Sequence, residues 1–250
     1  GESAEIRSLA RLKDKMGLVI SITNRPDSAL GRRSDFILDI RAGEEATVST
    51  KTYTNSLAVL HLLGEQMVAG NLTVEKKNLS LVARRLKPFL EDFYHGAREI
   101  SHFLGDPDRI AILGRGYSMA SVQTSSLILK EASKVFSFGL SSAQFRHGPR
   151  ELMRPGFNAI IFGGAKITHQ LNQNLAVELA NHSSQVVFIS AKSWLPDSSA
   201  IKVINLPKAP EPLLPIVEII PIQLLTIPLA EANGYQPGVF LHSEKITISE

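Results

Sequence analysis

Lys130-Glu131, on a helix-like run, and His147-Gly148-Pro149, in a turn-rich loop soon after it, put a carboxylate and an imidazole in one stretch of chain. That pair is suited to moving protons on and off carbon and oxygen. Read alone, Glu131 is a solvated helix carboxylate and His147 a loop histidine. At the start of the chain, Gly1-Glu2-Ser3-Ala4-Glu5 sets a hydroxyl and carboxylates where a helix begins. Backbone N–H groups there, aided by Ser3, can bind phosphate; the alternative is an ordinary N-cap. Glu44-Glu45-Ala46-Thr47-Val48-Ser49-Thr50-Lys51 places hydroxyls and a lysine at a strand-to-helix turn. Such a turn suits either a polar ligand outside the carboxyl end of a sheet or a capped helix. The turn-rich tail from Gln236 to Thr247 carries Glu244 and Lys245. A lysine there can close over a site and offer its amine to a carbonyl, or the tail can simply fray.

Other chemistries are excluded. The chain has no cysteine, which removes disulfides, thiolate metal sites and a cysteine nucleophile. The remaining histidines (His61, His95, His102, His169, His182 and His242) show no metal-ligand spacing, so no catalytic metal is expected. Gly114-Arg115-Gly116 permits close backbone approach, but Tyr117-Ser118-Met119-Ala120 supplies no third glycine, and nicotinamide binding is rejected. The 27 basic and 24 acidic residues are spread without a basic block, so no nucleic-acid surface is expected. No signal-peptide pattern opens the chain. The long apolar stretch Leu213 to Ala230 is interrupted by Pro215, Glu218, Pro221, Gln223 and Pro228. It reads as a buried, kinked helix, not a membrane span. The expectation is a soluble cytoplasmic protein.

The elements that must position these residues follow from periodicity. Short apolar runs alternate with longer amphipathic ones, the pattern of helices covering a parallel sheet. Strands are expected at Leu18–Thr23, Phe36–Ile40, Arg109–Leu113, Val135–Phe138, Asn158–Phe162, Gln185–Ser190 and Lys202–Leu206. Helices are expected at Glu5–Lys15, Thr50–Val68, Val74–Phe103, Ala120–Ser133, His169–Asn181 and Leu213–Ala232. The charged run from Val74 reads as an amphipathic connector between two similar lobes. This gives a first lobe at 1–73, a connecting helix at 74–103 and a second lobe at 104–250. The first lobe opens at a loop–helix junction with no strand before it. It therefore reads as truncated, and the sequence as part of a longer polypeptide.

Taken together, these pieces resemble the sugar isomerase (SIS) family, specifically the isomerase half of glucosamine-6-phosphate synthase and the SIS-type hexosamine-phosphate deaminases. The opening Gly-Glu-Ser-Ala-Glu is similar to the end of that family's Ser-x-Ser-Gly-Glu-Ser/Thr phosphate loop, and Glu45 to Lys51 to its Glu-x-x-x-x-Ser-Thr-Lys segment. Gly114-Arg115-Gly116, Leu129-Lys130-Glu131-Ala132-Ser133 and Ala143-Gln144-Phe145-Arg146-His147-Gly148-Pro149 follow the family in order and spacing, the last being the most specific. Glu244-Lys245-Ile246-Thr247 resembles its Lys-Val-Thr-type tail.

The resemblance implies an α/β fold of two flavodoxin-like lobes and a homodimer with a shared site. Glu131 matches the base that shuttles a proton between C1 and C2 of the open-chain sugar. His147 matches the ring-opening histidine of the neighbouring subunit, and Lys245 the tail lysine that can form a Schiff base with the ketose. The implied binding set is Glu2, Ser3, Thr47, Ser49 and Glu244, with no metal and no cofactor, because the substrate's own carbonyl acidifies the adjacent C–H. The expected function is isomerisation or deamination of an aminohexose 6-phosphate. One position departs from the family: Ile128 stands where the synthase has a lysine, three residues before the glutamate. That weakens the case for the synthase's own reaction. With no cysteine to serve a glutaminase, glutamine-dependent synthesis is excluded for this chain. The rivals are a non-catalytic sugar-phosphate sensor and a deglycase of a phosphorylated sugar–amino acid adduct.

Overall fold

A computed structural model describes residues 2–242, apart from Met16, Asp106, Asp108 and the side chain of Asp14. The described chain divides into two compact units. One holds the residues up to Leu72 and those from Val239; the other is Thr73–Gly238. Each carries its own parallel sheet flanked by helices, which is the α/β class that the alternating runs imply.

The first unit contains α1 (Ala4–Ala10), β1 (Ile20–Thr23), β2 (Phe36–Asp39) and α2 (Lys51–Ala69). β1 and β2 pair in parallel from Ile20↔Phe36 to Thr23↔Asp39. Asp35 ties their connection, accepting from Val19 N at 2.9 Å and from Lys13 Nζ at 2.6 Å. The turn at Gly31 needs glycine, since a Cβ there would lie 2.0 Å from the Pro26 carbonyl oxygen. Asn24 staples the end of β1 to the chain beyond β2: its Oδ1 accepts from Ala42 N at 2.8 Å and its Nδ2 donates to Gly43 O at 2.7 Å. α1 is shorter than its periodicity suggests. After Ala10 the chain tightens, with Leu12 N donating to Leu9 O and Lys15 N to Leu12 O, bonds that satisfy the last carbonyls of a helix.

The second unit contains α3 (Thr73–Leu104), β3 (Arg109–Gly114), α4 (Met119–Ser133), β4 (Phe136–Ser141), α5 (Ser142–Phe145), β5 (Asn158–Phe162), α6 (Lys166–Asn181), β6 (Gln185–Ser190), β7 (Ile201–Asn205) and α7 (Leu214–Ala232). Its five-stranded sheet has the order β4-β3-β5-β6-β7, parallel throughout. β5 is buried along its whole length, as a central strand must be when helices cover both faces. Ala111, Leu113, Phe145, Phe157, Ile161 and Phe188 belong to the core on one face. α3 buries Ala97, Ile100 and Leu104, a stripe at helical spacing, and packs on α7.

α7 is apolar on every side. By length and composition it is able to span a membrane, but fourteen of its nineteen residues are buried in this unit, covered by α4 and α3. Two expectations change here. α6 begins at Lys166, ahead of His169, because Lys166 N donates to Glu211 Oε1 at 2.7 Å, a cap supplied from 45 residues away. The loop after β4 contains the short helix α5, started by a capping box between Ser141 and Gln144.

Candidate functional site

In the second unit, Glu131 lies near the C-terminal end of α4, two residues before that helix ends. Its side chain is half-buried. Burial raises its carboxyl above the ordinary carboxylate range, against the opposing charges of Lys134 and Lys130. A carboxyl raised in this way is a better proton carrier near neutrality than a fully solvated one. Ile128, one turn earlier, is 1% exposed and belongs to the core. A lysine at that position would have to send its ammonium into or past packed apolar side chains.

His147 lies in the loop after α5 and is exposed. Its backbone N–H donates to Gln144 O at 3.0 Å, and the following Gly148 has φ 128°, a conformation that favours glycine. The loop is pinned on both sides of the histidine. Arg146 and Arg150 each reach Glu178 of α6, at 2.7 and 2.8 Å, so one carboxylate grips two guanidinium groups. A groove of about 470 Å³, lined by Phe136, Phe138, Leu140, Pro149, Leu152 and Phe157 among others, runs beside it.

Glu131 and His147 of one chain are not brought together. α4 follows β3 and runs back along the sheet to β4. The helical span from Met119 to Glu131 is about 18 Å. Glu131 lies on the face of the sheet that α4 covers, where Ser126 bonds Ser137 of β4, whereas His147 follows α5, whose Phe145 belongs with Leu175 and Leu179 of α6 to the core of the opposite face.

In the first unit, Ser3 is the N-cap of α1 and its side chain makes no capping bond. Glu2 Oε1 accepts from Ala29 N at 2.8 Å, which fixes the start of α1 to the chain after β1. Thr47 is half-buried in the connection from β2 to α2. Ser49 Oγ lies 2.5 Å from Thr52 Oγ1. The organiser of this connection is Glu45. Its Oε1 accepts from Thr50 N at 2.8 Å, Thr50 Oγ1 at 3.2 Å and Thr52 N at 3.1 Å, and its Oε2 from Thr52 Oγ1 at 2.6 Å. Burial works to raise this carboxyl, but the bonds from Thr52 and Thr50 outweigh it and hold the group below its ordinary range. Lys51 Nζ donates to the Glu44 carbonyl. Sequence reading placed Glu45 only within a matching segment. The signal for its role was present in the hydroxyls of Thr50 and Thr52, which sit at the start of α2.

Glu244 and Lys245 lie outside the described residues. Glu2, Ser3, Thr47 and Ser49 thus belong to one unit, and Glu131 and His147 to the other. Among the described residues no group of three or more His, Asp or Glu is placed to hold a metal ion.

The SIS domain profile matches residues 1–65 and 103–230, ranges that include every described candidate residue. Glutamine–fructose-6-phosphate aminotransferase (isomerizing) of Pyrococcus horikoshii is 30% identical over 243 residues, covering 95% of this chain and 40% of that protein. The chain spans 40% of the length of the Thermococcus kodakarensis relative as well. Among solved structures, the C-terminal domain of glucosamine-fructose-6-phosphate aminotransferase from Francisella tularensis superposes with a TM-score of 0.79 at 24% identity. It covers 94% of this chain and 70% of that one. A glucosamine-6-phosphate deaminase from Thermotoga maritima gives 0.73 at 23% identity, covering 94% of this chain and 68% of that one. At these identities the structural likeness shows the fold.

Proposed function

We propose that this chain, which belongs to the SIS domain family, acts on an aminohexose 6-phosphate as an isomerase or deaminase, as a cytoplasmic homodimer with shared sites. The observation that carries the reading is Glu131: a half-buried carboxyl, raised by burial, inside the matched range and in the family's Leu-Lys-Glu context. With the sugar ring open, the carbonyl acidifies the neighbouring C–H, and Glu131 takes that proton and returns it to the adjacent carbon. His147 moves the proton that ring opening requires. The Lys245 amine condenses with the ketose carbonyl, releasing water. Ser3, Thr47 and Ser49 hold the phosphate and sugar, with Glu2 and Glu244 completing the set. No cofactor enters these steps.

The proposed sharing of sites is supported by the placement of Glu131 and His147 on opposite faces of one sheet. The histidine serving a given Glu131 comes from the second copy. Two variants test this. Glu131→Gln and His147→Ala should each lose roughly two or more orders of magnitude in turnover. Mixed and allowed to exchange subunits, they should regain activity, up to about a quarter of the wild-type level, because half the dimers are mixed and each has one intact site. No recovery despite demonstrated exchange contradicts the shared site. A second reading, a sugar-phosphate-binding regulatory module, is favoured by one observation, the core-facing Ile128. A deglycase would use the same proton chemistry on a sugar attached to an amino acid.

A further inference from the structure

The long helices of this protein close in different ways. α2 ends on Gly70 with φ 67°, α3 is followed by Gly105 with φ 69°, and Gly234 with φ 73° follows the end of α7. Glycine is the usual choice for such a left-handed turn because it has no Cβ to clash. α4 ends instead on Lys134, which holds the same kind of conformation with φ 59°. A lysine there costs backbone strain that glycine avoids. What the lysine adds is its side chain.

That side chain folds back over the end of the helix. Lys134 Nζ donates to the Glu131 carbonyl oxygen at 2.6 Å, so the ammonium lies against the turn that carries the Glu131 carboxyl. Lys134 is half-buried, whereas Lys130, one residue before Glu131, is exposed. Burial raises the Glu131 carboxyl, and Lys134, then Lys130, act against it. Ile128, in the preceding turn, is packed in the core and offers no charge. Of the elements packed on α4, the end of α7 brings Asn233, uncharged, whose Nδ2 donates to Ser133 O at 3.2 Å. It also brings Glu231, whose carboxylate Arg98 of α3 pairs at 2.9 Å. β3 and β4 begin at Arg109 and Phe136.

We propose that Lys134 is a positioning residue for the reaction: its ammonium, held against the last turn of α4, supplies the positive charge that keeps the Glu131 carboxyl ready to accept a proton. The inference rests on the reading of Glu131 as the base. Only an ionised carboxylate can take the C–H proton, and a half-buried one loses ionisation to desolvation. A nearby ammonium restores it, with most effect on the acid side, where ionisation is incomplete. At alkaline pH the carboxyl is ionised with or without the lysine.

Lys134→Gly in the full chain separates this role from a structural one. It removes the strain together with the charge, so its melting temperature should equal or exceed that of wild type. The Glu131 δ-carbon, 13C-labelled, is followed by NMR through a pH titration, and deuterium uptake by fructose 6-phosphate in D2O is measured over the same range. In Lys134→Gly, Glu131 should titrate at higher pH than in wild type. Uptake should fall roughly three- to tenfold on the acid limb and match wild type on the alkaline plateau. Lys134→Met, which keeps the alkyl stem, should behave alike, and Lys134→Arg should restore the wild-type profile. An unchanged Glu131 titration, or a loss of equal size at every pH, overturns the proposal. If wild type takes up no deuterium at any pH, the proposed reaction fails, and the Glu131 titration still decides for or against Lys134.

Discussion

Glu45 and Glu218 do similar local jobs in the two units and end with opposite charge preferences. Each carboxyl meets hydroxyl groups at the start of a helix, Thr50 and Thr52 at α2 and Ser118 at α4. Glu45 is half-buried and saturated, with four donors on its two oxygens, and sits below its ordinary range. Glu218 is buried, has one close donor and an orphan oxygen, and is pushed up to about 7, chiefly by loss of solvent. The lesson is that donors, not the helix start alone, decide whether a buried carboxyl is a stabilising anchor or a latent strain. Four donors outweigh moderate desolvation; one does not outweigh nearly complete desolvation. The contrast also bears on function, because Glu45 uses its own carboxyl to shape a loop whose Thr47 and Ser49 belong to the proposed sugar site.

The largest effect expected from this contrast is on Glu218. Its folded value lies above the 4.5 of an ordinary glutamate, so its contribution is fully present below that value and is lost as pH rises through about 7. Glu218→Gln removes the titration. Relative to wild type it should gain stability between about pH 5 and about pH 8.5, on the order of 3 kcal/mol, measured by denaturant unfolding at each pH. A difference that does not change over this span would mean that solvent reaches the carboxyl, and the contrast with Glu45 would fall.

A smaller effect of opposite sign is expected at Glu45. Its value is lowered, so its contribution is present above 4.5 and is lost as pH falls through the depressed folded value. Glu45→Ala should cost about 1–2 kcal/mol at neutral pH through the lost cap of α2, and the deficit should shrink in acid. Urea titrations at neutral and acidic pH would show it. A deficit of equal size at both would assign the loss to packing instead of charge.

Much of this was readable from the sequence, and the remainder fails for physical reasons. The strands of the five-stranded sheet announce themselves as short apolar runs between turns, and Gln185–Ser190 forms a strand over the residues expected. Short-range signals also locate α4, whose expected start at Ala120 is one residue inside the observed Met119. The early start of α6 was not readable, because the carboxylate that caps it is Glu211, far along the chain. Glu218 was noticed only as an interruption in an apolar stretch. Its partner Ser118 lies 100 residues away, and no local pattern connects them. In the proposed site, the types and order of Glu131 and His147 were readable from motif spacing. Their placement on opposite faces of the sheet depends on which face α4 and α5 each cover, which only the assembled fold supplies.

The central claim, that Glu131 moves a proton on a sugar phosphate, is tested most directly by solvent exchange. Glucosamine 6-phosphate or fructose 6-phosphate is incubated with the protein in D2O and then recovered for NMR analysis at C1 and C2. The account predicts that wild type introduces deuterium there, and that Glu131→Gln binds the sugar phosphate with little or no exchange. A wild-type protein that binds the sugar phosphate yet leaves both carbons free of deuterium, or a Glu131→Gln variant that exchanges as fast as wild type, would contradict it.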